Sequence, residues 1–257
     1  MTDYRDDLAL ALDLADLADR ITMPRFRAAD LVIETKPDLT PVTEADRAVE
    51  IAVVEVLAAK RPGDALVGEE FGIAGGDGAN GRRWIVDPID GTKNFVRGVP
   101  VWATLIALES AHDVVVGVAS APALGRRWWA ARSLGAYADS TPIRVSKVAS
   151  LGDAQLSYSS LSGWELRGGV EKLVHLAERC WRTRAFGDFW SHLLVAEGSV
   201  DVGLDPEVTL WDLAALKVIV EEAGGRFTDL SGKATPGGGS AVSTNGILHD
   251  EVLERLG

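Results

Sequence analysis

Trp84-Ile85-Val86-Asp87-Pro88-Ile89-Asp90-Gly91-Thr92-Lys93-Asn94-Phe95 delivers one aspartate from an apolar run, turns, and delivers a second. Trp84 to Val86 predict a buried strand that ends at Asp87. Pro88 sets a turn, and Gly91 permits the sharp bend that brings Asp90 back beside Asp87. Like charges this close need a counter-charge, and oxygen-only donors select hard Mg²⁺ or Mn²⁺ over zinc. Taken alone, Asp-Pro-x-Asp-Gly is more often an Asx turn capping a strand end, so its meaning depends on what surrounds it.

Outward from this segment, Ala65 to Ala138 is a series of short β-rich runs (ALV, WIVD, WATLIALE, DVVVGVASA, RRWWAA, GAYA) separated by Gly, Pro and Asp turns. These predict one antiparallel sheet. Upstream, Leu8, Leu12, Ala15, Ala18 and Ile21 recur at helical spacing after Thr2 and Asp3, predicting an amphipathic helix that ends before Pro24. A short strand over Leu31 to Glu34, a loop punctuated by Pro37 and Pro41, and a helix from Asp46 to Lys60 stopped by Arg61-Pro62-Gly63 follow. After Pro142 the order alternates: strand Gln155 to Ser159, helix Glu165 to Arg179, strand Trp181 to Phe186, helix Phe189 to Glu197, strand Val200 to Leu204, helix Leu210 to Glu222. The fold class is α/β, α+β in its first half, with one sub-domain over residues 1–141 and a second over residues 142–257 that share an extended interface. The Gly-rich stretches Gly72 to Gly81 and Gly237 to Gly239 read as loops.

The 257 residues are 47% hydrophobic and 25% charged, which excludes a disordered chain or a fibre. Lys plus Arg number 26 against Asp plus Glu 38, a formal charge of −12 that repels a phosphate backbone or an anionic membrane. Neither nucleic acid nor a membrane is an expected partner. No uncharged stretch approaches the ~20 residues of a membrane span, and Met1 to Arg20 interleave Asp with Leu and Ala, unlike an export signal. The single cysteine, Cys180, leaves no intramolecular disulfide and no Cys-based zinc or iron–sulfur site. It reads as a buried inert thiol on a strand, and the expected location is the reducing cytoplasm.

Gly76-Asp77-Gly78-Ala79-Asn80-Gly81 spells the dinucleotide-binding string, but a strand rather than a helix follows it. There is no P-loop or nucleophile elbow, and His112, His175, His192 and His249 are scattered without metal-ligand spacing, so histidine chemistry is not expected. Further acids do stand at element ends. Ala65-Leu66-Val67-Gly68 runs into Glu69-Glu70. Thr43-Glu44-Ala45-Asp46 and Thr209-Leu210-Trp211-Asp212 are T-x-x-D strings opening helices, where helix capping is an equal alternative to a role in a site.

Together these residues resemble the magnesium-dependent inositol monophosphatase family of small-molecule phosphatases. The resemblance spans nearly the whole chain and rests on Gly68-Glu69-Glu70, Trp84 to Phe95, Leu210-Trp211-Asp212-Leu213-Ala214-Ala215 and Glu222-Ala223-Gly224-Gly225. It implies a layered α/β/α/β/α sandwich of the inositol monophosphatase and fructose bisphosphatase type, usually a homodimer, acting on a small-molecule phosphate monoester. By motif, Glu69, Asp87 and the backbone carbonyl of Ile89 would hold a first Mg²⁺, and Asp87, Asp90 and Asp212 a second. Asp87 would bridge the two. A weaker third Mg²⁺ would lie near Glu69, and Mn²⁺ could substitute. Residues 1–141 then carry most of the metal ligands and residues 142–257 complete the site. Asp46 with Thr92 would position and deprotonate the attacking water, and the N–H groups of Gly91 and Thr92 would grip phosphate oxygens.

The metal motifs are common to members of that family that hydrolyse inositol phosphates, sugar bisphosphates, adenosine bisphosphates or histidinol phosphate. Gly187-Asp188-Phe189-Trp190-Ser191-His192 departs from the small residues usual there in inositol monophosphatases, and Asp205-Pro206-Glu207 adds two acids ahead of Asp212. Acids and aromatics suit a cationic, ring-bearing substrate. The run Asp205 to Ala215 also looks like that of the bacterial histidinol-phosphate phosphatases of this family. Hydrolysis of histidinol phosphate, a step of histidine biosynthesis, is therefore the preferred expectation, with Asp188, Asp205 and Glu207 receiving the cation. An inositol-1-phosphate phosphatase is the alternative enzyme, and a metal- and phosphate-binding regulatory protein the alternative without catalysis. For Asp188, N-capping after Gly187 competes with binding; for Phe189 and Trp190, core packing is the preferred reading.

Overall fold

Apolar residues at helical spacing make α1 (Arg5–Thr22), which buries Leu8, Leu10, Leu14 and Ala18 on one side. The computed structural model describes residues 3–76 and 78–257; Thr2, read above as part of the helix start, and Asp77 lie outside the described residues. A small hairpin of β1 (Ile33–Thr35) and β2 (Pro41–Thr43) leads into α2 (Glu44–Lys60). Next come β3 (Ala65–Gly68), β4 (Gly72–Gly75), β5 (Arg82–Asp90), α3 (Thr92–Arg97), β6 (Ala103–Ser110), β7 (Asp113–Ala121), β8 (Arg126–Ala131), β9 (Gly135–Ala138) and β10 (Thr141–Pro142). The remainder is β11 (Gln155–Tyr158), α4 (Leu161–Leu166), α5 (Val170–Arg179), β12 (Arg182–Arg184), α6 (Asp188–Ala196), β13 (Val202–Asp205), α7 (Leu210–Glu222), β14 (Arg226–Thr228), β15 (Ala241–Thr244) and α8 (His249–Leu256).

Strands β3 to β10 form an eight-stranded sheet in the order β10-β9-β8-β7-β6-β5-β3-β4, and a five-stranded sheet runs β12-β11-β13-β15-β14. Side chains alternate along β5, so Trp84 and Val86 pack against Leu14, Val49 and Val53 of α1 and α2, while Ile85 packs on the opposite face with Phe189 of α6 and Leu213 and Leu216 of α7. On the far side of the second sheet, Leu156, Val202 and Val242 cover Trp164, Leu173 and Val252 of α4, α5 and α8. The layers therefore alternate α/β/α/β/α, with α6 and α7 between the sheets. No helix among the described residues is long and apolar enough to cross a membrane.

Several expectations are corrected. The first sheet is not wholly antiparallel: β3 runs parallel to β5, with Gly68 opposite Val86. Gly72–Gly75, read as loop, is the edge strand β4, paired antiparallel to β3. The helix expected over Glu165 to Arg179 is two helices, because Gly168 turns at φ +65° between α4 and α5. Cys180 caps α5 instead of lying in a strand, and Trp181 is 67% exposed, so β12 shrinks to Arg182–Arg184. Burial pushes the Cys180 thiol up to about 11, consistent with an unreactive group.

Candidate active site

The parallel pairing of β3 with β5 stops at Gly68 opposite Val86, which sets Glu69 near Asp87, while β5 runs on to Asp90. Asp87 to Asp90 would place the two acids on opposite faces of a regular strand. Between them, three steps on β5 match two on β6, from Leu105 to Ala103. This one-residue bulge at Pro88 returns Asp90 to the face of Asp87. Thr104 Oγ1 donates to Pro88 O at 2.7 Å, and Ile89 N–H donates to Asp87 Oδ1 at 3.0 Å, which fixes the bulge. Gly91 follows at φ +82°, where a Cβ would meet Val101 O at 3.0 Å and Asp188 Oδ2 at 3.3 Å, and α3 starts at Thr92.

Helix termini bring the remaining acids to this edge. Asp212 is the third residue of α7, and its carboxylate lies with those of Asp87 and Asp90, ligand oxygens within 4.8 Å of one another. Asp46 is the third residue of α2; its Oδ2 accepts from Thr43 N at 2.8 Å and Thr43 Oγ1 at 2.5 Å, and its Oδ1 lies 3.5 Å from Thr92 Oγ1. Thr92 Oγ1 also donates to Ile89 O at 2.9 Å. Each helix start is a capping box; for Asp212, capping and membership of the cluster, posed as alternatives, coexist, whereas Asp46 lies outside the Asp87, Asp90 and Asp212 group and faces Thr92.

Burial first, then repulsion from Glu69, Asp90 and Asp212, pushes the Asp87 carboxyl well above the usual carboxylate range. Asp90 is raised likewise, by burial and then by Asp188 and Asp212. Burial also lifts Asp46 to about 6 against the hydrogen bonds from Thr43. Asp87, Asp90 and Asp212, crowded together with oxygen donors alone, fit a hard divalent cation and not a thiophilic one.

A cavity of about 430 Å³ opens from these acids, walled by Asp90, Asp212, Ser159, Asp188, His192 and Asp205. Asp188 is not the N-cap of α6; Gly187 holds that place, and Asp188 follows at φ +47°. That left-handed backbone turns its carboxylate toward Asn94, whose Nδ2 donates to Asp188 Oδ2 at 3.1 Å and to Val101 O at 2.8 Å. Burial, then Asp205 and Asp212, raise Asp188 to about 6. The next amide, Phe189 N–H, donates to Asp90 Oδ2 at 2.8 Å. The Phe189 ring is buried against Trp128 and Trp190 packs on Phe186, so both aromatics belong to the packing. Glu207 lines the exposed rim.

Three further contributors are not indicated by the motifs. Lys36 Nζ lies 2.8 Å from Glu69 Oε1 and 2.6 Å from Glu70 Oε1. Glu50, fully buried on α2, accepts Glu70 N–H at 2.8 Å and Phe71 N–H at 2.9 Å, pinning the turn that carries Glu69. His192, set aside with the other histidines, is buried at the cavity wall. Only Glu50 has a signal in the sequence, as an acid among Val49, Val53 and Leu57 on the apolar side of α2.

The inositol monophosphatase family model matches residues 3–256. The chain belongs to the inositol monophosphatase family. Within it, the chain is 61% identical over 256 residues to a histidinol-phosphatase of Mycobacterium tuberculosis, covering 98% of each chain. It is 55% identical to a histidinol-phosphatase of Streptomyces coelicolor, covering 100% of this chain and 98% of the relative. Among solved structures, an inositol monophosphatase from Zymomonas mobilis superposes with a TM-score of 0.88 at 31% identity, covering 100% of this chain and 99% of that one. The layered sandwich expected from the motifs is thus the fold of the family.

Proposed function

We propose that the protein is a divalent-metal-dependent phosphomonoesterase that hydrolyses histidinol phosphate to histidinol and phosphate, in histidine biosynthesis. The observation that carries the substrate assignment is the pair Asp188 and Asp205, two acids walling the cavity beside the Asp87, Asp90 and Asp212 cluster. A polyol hydroxyl can donate to them but brings no charge, whereas an ammonium or imidazolium donates and also relieves their mutual repulsion. The histidinol-phosphatase relatives at 61% and 55% identity support the same substrate.

In this reading Glu69, Asp87 and the Ile89 carbonyl would hold one Mg²⁺, Asp87, Asp90 and Asp212 would hold a second, and a third would bind more weakly near Glu69, with Mn²⁺ able to replace Mg²⁺. The bound ions supply an acidified water, neutralisation of the phosphate oxygens and stabilisation of the leaving alkoxide. Asp46 Oδ1 and Thr92 Oγ1 would orient the attacking water, whose proton would pass to the Asp46 carboxylate; burial raises Asp46 to about 6, useful for a base near neutral pH. Gly91 and Thr92 present backbone N–H groups to the phosphate, and Asp188, Asp205 and Glu207 take the cationic end of the substrate. Residues 1–141 carry most of the ligands and residues 142–257 complete the site. The working form in this reading is a cytoplasmic homodimer.

Phosphate release by the purified protein, with and without Mg²⁺, tests the proposal. Histidinol phosphate should be turned over with a higher kcat/KM than inositol 1-phosphate, and EDTA should abolish both. Full activity in EDTA rejects the metal assignment; a preference for inositol 1-phosphate rejects the substrate.

A further inference from the structure

His192 has no task in that scheme, yet its environment is built around it. It lies on α6 beneath the cavity wall, fully buried, with its ring tilted against Phe227 at 5.8 Å between centroids. Nδ1 is 2.8 Å from Ser243 Oγ, and Nε2 is 3.2 Å from Asp205 Oδ2. An ionised carboxylate only accepts, so the proton of the second bond sits on Nε2, whether the ring is neutral or protonated. In the neutral ring, the Ser243 hydroxyl then donates to Nδ1. Gly203 makes room for this pair: a Cβ there would sit 2.6 Å from Ser243 Oγ and 3.3 Å from His192 Nδ1.

The order Ser, His, Asp invites comparison with a hydrolase triad, but the placement is inverted. Ser243 is buried in the middle of β15, and the carboxylate, not the hydroxyl, lines the cavity. The relay therefore ends on Asp205. That carboxylate stands near Asp90 and Asp188, both of which feel its charge. Without a donor on Oδ2, repulsion would favour rotating it away.

We propose that His192 is a positioning residue for substrate selectivity: its Nε2–H holds Asp205 Oδ2 so that the other carboxylate oxygen stays turned into the cavity to receive the substrate's cation. The inference rests on the cationic-substrate reading above. It assigns His192 no contact with substrate, so its effect should fall on the discrimination between substrates rather than on hydrolysis as such.

The test compares kcat/KM for histidinol phosphate with that for glycerol 2-phosphate, a monoester whose alcohol part carries no charge, in the Mg²⁺-loaded enzyme. For His192→Leu the ratio should fall about ten-fold, mainly through KM for histidinol phosphate, the scale of one charge-assisted hydrogen bond. In an Asp205→Asn background the same substitution should change the ratio no further. Should the leucine variant not fold, two amides make the comparison: the side-chain nitrogen of a glutamine at this position reaches as far as Nε2, that of an asparagine only as far as Nδ1. His192→Gln should keep most of the ratio and His192→Asn should lose it. A wild-type ratio in His192→Leu, further loss in the Asp205→Asn background, or equal ratios in the two amide variants overturns the inference while leaving the substrate assignment intact. A wild-type enzyme without preference for histidinol phosphate rejects that assignment itself.

Discussion

Thr209 donates its backbone N–H, at 2.6 Å, and its hydroxyl, at 2.9 Å, to one and the same oxygen of Asp212, Oδ2. The Asp212 carboxylate also lies with those of Asp87 and Asp90. Thr43 treats Asp46 in the same way, and the other Asp46 oxygen lies 3.5 Å from Thr92 Oγ1. The two helix starts are thus wired alike, a single carboxylate oxygen taking both capping bonds.

Asparagine separates the two duties. Its carbonyl oxygen can take the cap position, while its NH₂, a donor, faces the cluster where a cation or water proton needs an acceptor. Asp212→Asn and Asp46→Asn should each change stability by about 1 kcal/mol or less and lower kcat by more than ~10²-fold. Calorimetric melting and phosphate release check this, and wild-type activity in either variant returns that residue to capping alone.

Metal and pH should act on stability together. Asp46 and Asp188 titrate at about 6 in the folded protein and, unfolded, at the ordinary 3.8, while Asp87, Asp90 and Asp212 are also raised. A raised carboxyl stabilises the metal-free fold below its unfolded value and loses that contribution as pH climbs through its folded one. Buried His249, lowered to about 4, titrates in the opposite sense, so the informative quantity is a difference. The gain in Tm on adding Mg²⁺ should be small near pH 4 and grow toward pH 7. A gain independent of pH across that window contradicts the cluster electrostatics.

Glu50 touches no substrate, yet it fixes the turn bearing Glu69. Glu50→Gln offers one acceptor where two N–H groups now bond, so the Mg²⁺ concentration for half-maximal activity should rise several-fold with kcat at saturating Mg²⁺ nearly retained. Gly68→Ala should behave alike, since its Cβ would lie 2.0 Å from Glu50 Oε1. Loss of kcat that excess Mg²⁺ does not restore argues against this role.

Thr92 carries the hydroxyl between Ile89 O and Asp46 Oδ1. Thr92→Ala should cut turnover ~10²-fold with Mg²⁺ affinity by titration calorimetry little changed, and Thr92→Ser should recover most of the rate. Equal losses of metal affinity in Thr92→Ala and Asp90→Asn would mean that the hydroxyl serves the ions and not the water.

Local chemistry is legible in the sequence; long-range pairing is not. The meeting of Asp87 with Asp90, the two T-x-x-D helix starts and the apolar period of α1 are written in neighbouring residues, although the turn expected at Pro88 is a bulge inside β5, which runs on to Asp90. The parallel match of β3 with β5 depends on segments joined by the β4 hairpin, and strands of three or four residues such as β14 carry too little pattern to stand out from loops. Lys36 and His192 gain meaning only when another chain segment arrives, 33 residues away for Lys36 and Glu69 and 51 for His192 and Ser243. The turn of Asp188 into left-handed backbone likewise has no local signature.

Asp90 is tied to α6 by the main chain of Phe189, not by any side chain. Side chains on that helix can therefore be exchanged, proline at 189 excepted, without removing the donor. Hydrolytic machinery braced by an amide, and substrate preference written in the side chains beside it, can drift apart: a lineage on this scaffold is free to adopt new phosphate esters while the bond-breaking apparatus stays where it was.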